Sequence, residues 1–432
     1  MPNALIPLKL SHPRVLCYFI AQFFSAFNDN AFKMVISLAA LSVQQGQAGK
    51  SAAYLSLTSA VFILPFLFFS GYAGYLADRY RKDYVLMFSK SFEIVAMFLA
   101  LLVFMDGSHL QLLLVTLFLM ATHSAFFSPS KYGIVPEVLR GDDVAKANGY
   151  LTMTTYLAII GGTMFGGFLW QYYAHDHTVI GLILLAIAVV GTLFVYAVPK
   201  APKSASTAAF HPNPLHEIKK GLPLIWGSPR LKGALVGSVA FWLLASLMYL
   251  TVLVYGKNVL HVSETKASAL FALTAIGIGA GALWAGHLSK GRDRLNLVVY
   301  GLIILTLSQL ILGSFPFGYW VSLGFMALLG FGAGLFLLPL VTILTREAPA
   351  DKRGQVMATS NFIDMAAVLL SSLLFWLLHG VAGLDGREII LVVGVACAFG
   401  FIAMLWVVPL LWRGALIQLL RGVGLRRIVK KR

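Results

Sequence analysis

Charge is scarce in this 432-residue sequence: Asp, Glu, Lys and Arg together make up 12% of it, and the acids number only 17. Soluble domains average about 25% charged residues, so a soluble enzyme, a disordered chain and a nucleic-acid-binding module all fit poorly. Cysteine is nearly absent. Cys17 and Cys397 sit in apolar runs near opposite ends of the chain. That excludes a disulfide framework and any metal-ligand spacing, and leaves both as buried small hydrophobes. No Gly-rich nucleotide loop ending in Lys-Ser or Lys-Thr occurs, so ATP-driven work within the chain is unsupported, and no cofactor is expected. None of the ten His residues is followed by Asp five positions later, which excludes the His-x4-Asp pattern of glycerolipid acyltransferases. A cleavable signal is not expected either, because the first apolar run continues far past the length of an h-region.

What the sequence has is hydrophobicity: 59% of its residues are apolar and its mean hydropathy is +0.83. Apolar stretches lie near 14–43, 52–77, 84–105, 110–130, 146–173 and 178–199. Six more follow at 231–257, 264–289, 296–315, 319–346, 354–380 and 387–410. Each is long enough for a bilayer, which takes about 20 helical residues to cross, and runs this uniformly apolar read as helices, not as alternating barrel strands. The expectation is an all-α membrane protein of twelve transmembrane helices.

The basic residues orient it. With both termini cytoplasmic, 28 of the 33 Lys and Arg residues fall on the cytoplasmic side. Four fall on the other side (Lys50, Lys257, Lys266 and Arg387), and Lys33 lies inside a span. This is the positive-inside asymmetry, so the net charge of +16 reports topology, and no nucleic-acid partner is needed to explain it. Between the sixth and seventh stretches the composition turns to Pro, Ser, Lys and His. Pro202, Pro212, Pro214, Pro223 and Pro229 break any long helix there. The implied order is a six-helix bundle at 1–199, a cytoplasmic linker at 200–230, a second six-helix bundle at 231–410, and a basic amphipathic tail at 411–432 resting on an anionic leaflet. A weak echo links the halves. Pro136-Glu137, Arg140 and Ala147-Asn148 precede the fifth span, and Glu347, Lys352-Arg353 and Ser360-Asn361 stand around the eleventh. Two similar six-helix halves are the architecture of a secondary transporter.

The most informative polar stretch is Phe27-Asn28-Asp29-Asn30-Ala31-Phe32-Lys33 in span one. Asp29 and Lys33 are four apart, so they share a helix face and can pair. Placing Asp or Lys at a helix centre costs about 2.5–3.5 kcal/mol each on insertion scales. Such residues are expected to line a cavity and to serve function. Glu93, one turn beyond Lys90, reads as a local ion pair near the cytoplasmic face. His123 with Ser124 either lines the cavity or bonds a backbone carbonyl. Asn361 and Asp364 near the start of span eleven are further candidates, because Asp364 has no basic partner within its helix. The pairs Gly162/Gly166, Gly277/Gly281 and Gly330/Gly334 are expected at close helix crossings.

The loop after span two, Gly74-Tyr75-Leu76-Ala77-Asp78-Arg79-Tyr80-Arg81-Lys82-Asp83, resembles the signature loop of the major facilitator superfamily, although the Gly that usually follows Asp-Arg is absent. In that reading Gly74 permits close crossing, Asp78 meets a neighbouring helix N-terminus, and Arg79, Arg81 and Lys82 pair with acids, together latching one conformation. The second-half counterpart, Gly286-His287-Leu288-Ser289-Lys290-Gly291-Arg292, lacks the acid.

A narrower likeness rests on two further blocks. Ala21 to Phe32 is similar to the first span of bacterial lysophospholipid transporters, and Phe126-Phe127-Ser128-Pro129-Ser130-Lys131-Tyr132-Gly133-Ile134-Val135-Pro136-Glu137 to that family's stretch after span four. The resemblance implies the major facilitator fold in a bacterial cytoplasmic membrane. It also implies a flippase that moves lysophosphatidylethanolamine and lysophosphatidylglycerol from the outer to the inner leaflet, where an acyltransferase restores the second chain. On that reading Asp29 and Lys33 take the ammonium and phosphate, Asn28 and Asn30 hydrogen-bond the phosphate or glycerol, and Lys131 and Tyr132 mark a headgroup exit. Two other readings stay open: a proton-coupled transporter of small amphipathic molecules with Asp29 titrating, and a membrane receptor or scaffold without transport.

Overall fold

The computed structural model describes residues 7–42, 48–107, 109–173, 176–202, 206, 210–289 and 294–407; for 41–42, 48–56, 264–265, 401 and 403–407 it describes the backbone alone. The amphipathic tail expected at 411–432 and the stretch Lys290-Gly291-Arg292 lie outside these residues. Thirteen helices are described: α1 (Pro13–Ser42), α2 (Ala48–Arg79), α3 (Lys82–Met105), α4 (Leu110–Val138), α5 (Val144–Tyr172), α6 (His177–Tyr196), α7 (Pro214–Trp226), α8 (Pro229–Val254), α9 (Glu264–Ser289), α10 (Asn296–Ser314), α11 (Tyr319–Glu347), α12 (Arg353–Phe375) and α13 (Gly386–Val407). All but α7 correspond to the twelve apolar stretches. Among the described residues, ten helices are long and apolar enough to cross a membrane by length and composition. Backbone amides in lipid have no water to bond, which is why every apolar stretch folds as helix.

Two features depart from the sequence expectation. The fourth stretch does not stop near 130: α4 runs through Pro129 and Pro136 to Val138. Lys131, Tyr132 and Glu137 are therefore on the last turns of a helix, not in a stretch after it. Proline is tolerated inside such helices because neighbours re-satisfy the freed backbone groups. The second departure is α7, which forms within the proline-rich linker. Pro214 stands at its first turn, where no amide hydrogen is needed, and the Asn213 side chain caps it by accepting from Leu215 N–H at 2.9 Å.

By contact the chain forms two compact units. One comprises Met1–Val144, Thr154–Leu231 and Leu344–Ala366; the other comprises Ala145–Met153, Lys232–Ile343 and Ala367–Arg432. The first unit's core is built from helical stripes: Phe32, Val35, Ile36, Ala39 and Ala40 of α1 meet Met97, Ala100 and Phe104 of α3, Leu113, Leu117 and Met120 of α4, and Ile180, Leu184 and Ala188 of α6. In the second unit α9 and α11 cross backbone to backbone. A methyl group at Gly277 would come within 2.9 Å of Phe331 N, and one at Gly334 within 2.5 Å of Ala282 N. The paired glycines thus face one another, the arrangement that lets helices approach closely in lipid.

Candidate functional site

The site is set by how α1 is turned. On one side it crosses α5 at Gly162 and Gly166, where an added methyl would lie 3.1 Å from Phe27 Cα and 2.9 Å from Met34 Cβ respectively. With about 100° per residue, that contact sends Ser25, Asn28 and Asp29 to the opposite side of α1, toward α3 and α4. There they enter a buried polar network. Asn28 Nδ2 donates to Glu93 Oε1 at 2.9 Å, and Lys90 pairs with Glu93 on the same helix, α3. His123 of α4 places Nε2 3.1 Å from Glu93 Oε2 and 3.2 Å from Ser25 Oγ, and Nδ1 3.2 Å from the Met120 carbonyl oxygen. Asn28, Lys90, Glu93 and His123 are each fully buried. The Ser124 hydroxyl donates to Asp29 Oδ2.

Asp29 is left half-satisfied. Its Oδ1 lies 3.8 Å from His123 Nδ1, beyond hydrogen-bond reach. Among the described residues Asp29 Oδ1 and Asn28 Oδ1 have no hydrogen-bond partner, although both are buried. Buried acceptors are nearly always bonded in folded proteins, so these two oxygens are the acceptors of the cluster open to a donor from outside the described residues.

Asp29 and Lys33 do not pair. Lys33 instead lies over the Phe62 ring of α2, 4.9 Å from its centroid, a cation–π contact. The spacing of four offers proximity on one helix, but the short aspartate meets a hydroxyl from α4 while the long lysine reaches an aromatic on α2. Asn30 donates from Nδ2 back to the Ala26 carbonyl at 2.7 Å, so one of its two amide hydrogens is used within α1. Lys131 stacks its ammonium over Tyr132 at 4.8 Å and lies within electrostatic reach of Asp29. Tyr132 is within reach of Asp364, whose Oδ2 accepts from Ser360 at 3.3 Å. Asn361 Nδ2 is buried without a partner among the described residues.

A second constellation surrounds Asp78 at the end of α2. Gly74 and Gly354 let α2 and α12 touch: a methyl at Gly74 would meet Ala358 Cβ at 2.7 Å, and one at Gly354 would meet the Gly74 carbonyl oxygen at 2.7 Å. Asp78 then receives the first amides of α12, with Gly354 N–H donating to Oδ1 at 2.5 Å and Gln355 N–H to Oδ2 at 2.7 Å. Free amides and the positive end of a helix dipole both favour a carboxylate there. Beside it Glu137 Oε1 takes Lys82 Nζ at 2.7 Å and Arg353 Nη1 at 3.3 Å. Of the basic residues named from the loop, Lys82 joins this centre. Arg79 donates to the Ser206 carbonyl at 2.9 Å. Arg81 pairs with Asp83 at 2.6 Å, a hydrogen bond that raises the guanidinium pKa above its ordinary value.

Sequence reading singled out Asp29, His123 and Asp78, but not Glu137 as a hub nor Glu93 as the centre of the buried network. The signal for Glu137 was its place in the echo with Glu347, which itself pairs with Arg230. Among the described residues no group of three or more His, Cys, Asp and Glu side chains is arranged to hold a metal ion.

The chain is similar to known membrane transporters in sequence and in fold. The profile of the Major Facilitator Superfamily matches residues 18–372. The chain is 26% identical over 354 residues, 81% of its length and 85% of the relative's, to the lysophospholipid transporter LplT of Photorhabdus laumondii. Against LplT of Pectobacterium carotovorum it is 26% identical over 360 residues, covering 81% of this chain and 83% of that protein. In structure it is similar to the superfamily transporter FucP in its outward conformation, with a TM-score of 0.70, 15% identity, and coverage of 90% of this chain and 96% of that one. Helices long and apolar enough to cross a membrane, a helix end that caps its neighbour and a profile spanning most of the sequence lead to one assignment: the chain belongs to the Major Facilitator Superfamily.

Proposed function

We propose that this protein is a lysophospholipid transporter. In this reading it carries lysophosphatidylethanolamine and lysophosphatidylglycerol from the outer to the inner leaflet of a bacterial cytoplasmic membrane by alternating access, with both termini cytoplasmic and two six-helix halves at 1–199 and 231–410. A cytosolic-side acyltransferase then consumes the product. The observation that carries the reading is Asp29, a buried carboxylate with one oxygen held by Ser124 and the other unpartnered among the described residues. An ammonium headgroup supplies the donor that Oδ1 lacks, and a charged hydrogen bond of this kind is stronger than a neutral one. Lys33, which among the described residues has a ring and no carboxylate beside it, offers a cation to the phosphate. Asn28 and Asn30 flank the headgroup, Asn361 and Asp364 extend the polar lining, and Lys131 with Tyr132 stands where the headgroup leaves. The Asp78 constellation holds one conformation by binding the start of α12, and releasing it permits the exchange that transport needs. Similarity to proteins named lysophospholipid transporters supports the substrate class.

The network of His123 with Glu93 and Asp29 favours a second reading, a proton-coupled transporter of small amphipathic molecules, because buried carboxylates joined through an imidazole are suited to proton exchange. Reconstitution in liposomes with a leaflet-resolved assay of labelled lysophospholipids separates the two. Inward movement of both lipids without an imposed pH gradient supports the first. Movement of non-lipid amphiphiles that requires the gradient supports the second, and no movement of any substrate rejects both.

A further inference from the structure

The linker helix α7 has two faces of different character. Its inner face is buried at Glu217, Ile218, Gly221 and Ile225, residues that share one side of a helix. Gly221 packs on the Thr359 side chain of α12. The Gln355 side-chain amide donates to Glu217 Oε2 at 2.7 Å and to the Glu217 carbonyl at 3.2 Å. Gln355 is thereby bonded at both ends, since its backbone N–H is one of the two that Asp78 accepts.

The outer face is apolar and basic. Leu215, Leu222 and Trp226 are 43%, 38% and 50% exposed; Lys219 and Lys220 are exposed as well, and Lys220 reaches back to within 4.0 Å of Glu217 Oε1. Exposed Leu and Trp beside lysines describe a helix that lies in the plane of a lipid–water boundary. Both ends of α7 are fixed at that level. At its start Pro214 abuts Gly71, inside the span Leu57–Arg79; just before it, Tyr72 donates to the Pro212 carbonyl and Phe210 stacks on Tyr72 at 5.8 Å. At its end Trp226 stands three residues before Pro229, where the next span opens. Tyr and Trp concentrate at this depth in membrane proteins.

We propose that α7 is an interfacial helix whose outer face binds anionic phospholipids of the cytoplasmic leaflet and whose inner face transmits that contact, through Gln355, to the Asp78 crossing. Lys219 and Lys220 meet the lipid phosphates, and Leu222 and Trp226 enter the acyl boundary. With α7 held on the leaflet, Glu217 anchors Gln355 and so keeps the first amides of α12 on Asp78. A neutral leaflet loosens α7 and weakens this crossing. The side of the membrane rests on the topology proposed above; the lipid contact itself does not.

Hydrogen exchange on the full chain in nanodiscs tests this without any transport step, so its failure leaves the transport reading untouched. Nanodiscs of phosphatidylcholine alone are compared with nanodiscs of equal parts phosphatidylcholine and phosphatidylglycerol. Each lysine near an anionic surface contributes several-fold, so the anionic discs are expected to slow exchange across 214–226 on the order of tenfold, with slower exchange across 353–359 as well. Lys219→Gln, at an exposed position that leaves the Lys220–Glu217 pair in place, is expected to weaken both responses several-fold. Gln355→Ala is expected to keep the first and lose the second. Equal exchange in the two lipids, as for a helix covered by a protein partner, overturns the lipid contact, as does a full response in the Lys219→Gln variant. A response at 214–226 that never extends to 353–359 in the wild-type chain overturns the transmission.

Discussion

Asp29 and Asp78 are both buried aspartates, 7% and 6% exposed, yet they are satisfied in opposite ways. Asp78 has a backbone amide on each carboxylate oxygen, at 2.5 and 2.7 Å, both from the first turn of α12. Asp29 has one hydroxyl, from Ser124, and an oxygen left over. A buried carboxylate that accepts a bond on each oxygen stabilises the arrangement that supplies them, here the crossing of α2 and α12. One whose bonds are incomplete bears the cost of desolvation without return, and that cost is recovered when a donor arrives. In the proposed function the two residues divide the work of a carrier: Asp78 holds a state and Asp29 receives the headgroup. The division also explains their neighbours. Asp78 is flanked by Glu137 with two cations. Asp29 is flanked by a network in which Glu93 engages Lys90, His123 and Asn28, and none of the three donates to Oδ1.

The largest effect is expected where a charge would be stranded at full burial. Glu93→Gln leaves Lys90 buried without its counter-charge, and breaking a buried pair costs about 3–5 kcal/mol. The variant is expected to give little folded protein, measured as monodisperse yield and thermal midpoint in detergent. Wild-type yield would mean that the network is not what holds α1, α3 and α4 together. Next comes Glu137→Gln, which removes the acid shared by Lys82 and Arg353. Its side chain is 11% exposed, so water offsets part of the penalty and a loss of about 2–3 kcal/mol is expected. Asp78→Asn is smaller. It keeps the shape and an acceptor but loses the attraction of a charge for a helix N-terminus, about 0.3–2 kcal/mol. Its signature is kinetic: turnover falls more than substrate affinity, because the balance of conformations shifts while the Asp29 site is untouched. Unchanged flipping rates at matched expression would remove Asp78 from the cycle. Smallest in stability is Asp29→Asn, expected to cost under about 1 kcal/mol because one side-chain oxygen still accepts from Ser124.

The same contrast marks what could be read from the sequence. The twelve long helices follow from hydropathy alone, since in lipid an apolar run has few alternatives to helix. The expectation that Asp78 meets a helix N-terminus came with the resemblance of Gly74–Asp83 to a signature loop, and Gly354 and Gln355 supply the amides it meets. The partners of Asp29 did not follow. Helical spacing proposes Lys33, but partner choice is decided by Ser124 and Phe62 on other helices, and nothing in span one encodes them. Glu93 looked like a local pair with Lys90; its bonds to Asn28 and His123 arise only when three helices assemble. The linker was read as helix-breaking because of its prolines. Position was the overlooked signal: Asn213-Pro214 is a helix start, and Ile218, Gly221 and Ile225 repeat at helical spacing behind it.

The most direct measurement compares the wild-type chain with Asp29→Asn in proteoliposomes, following lysophosphatidylethanolamine and lysophosphatidylglycerol separately as each crosses the bilayer. The wild type is expected to move both. Asp29→Asn loses the carboxylate that meets an ammonium, a charged hydrogen bond worth about 1.5–3 kcal/mol. It is therefore expected to slow the ethanolamine lipid roughly tenfold or more relative to the glycerol lipid, which carries no ammonium. A well-folded Asp29→Asn protein that moves both lipids at the wild-type ratio would contradict the assignment of Asp29 to the headgroup.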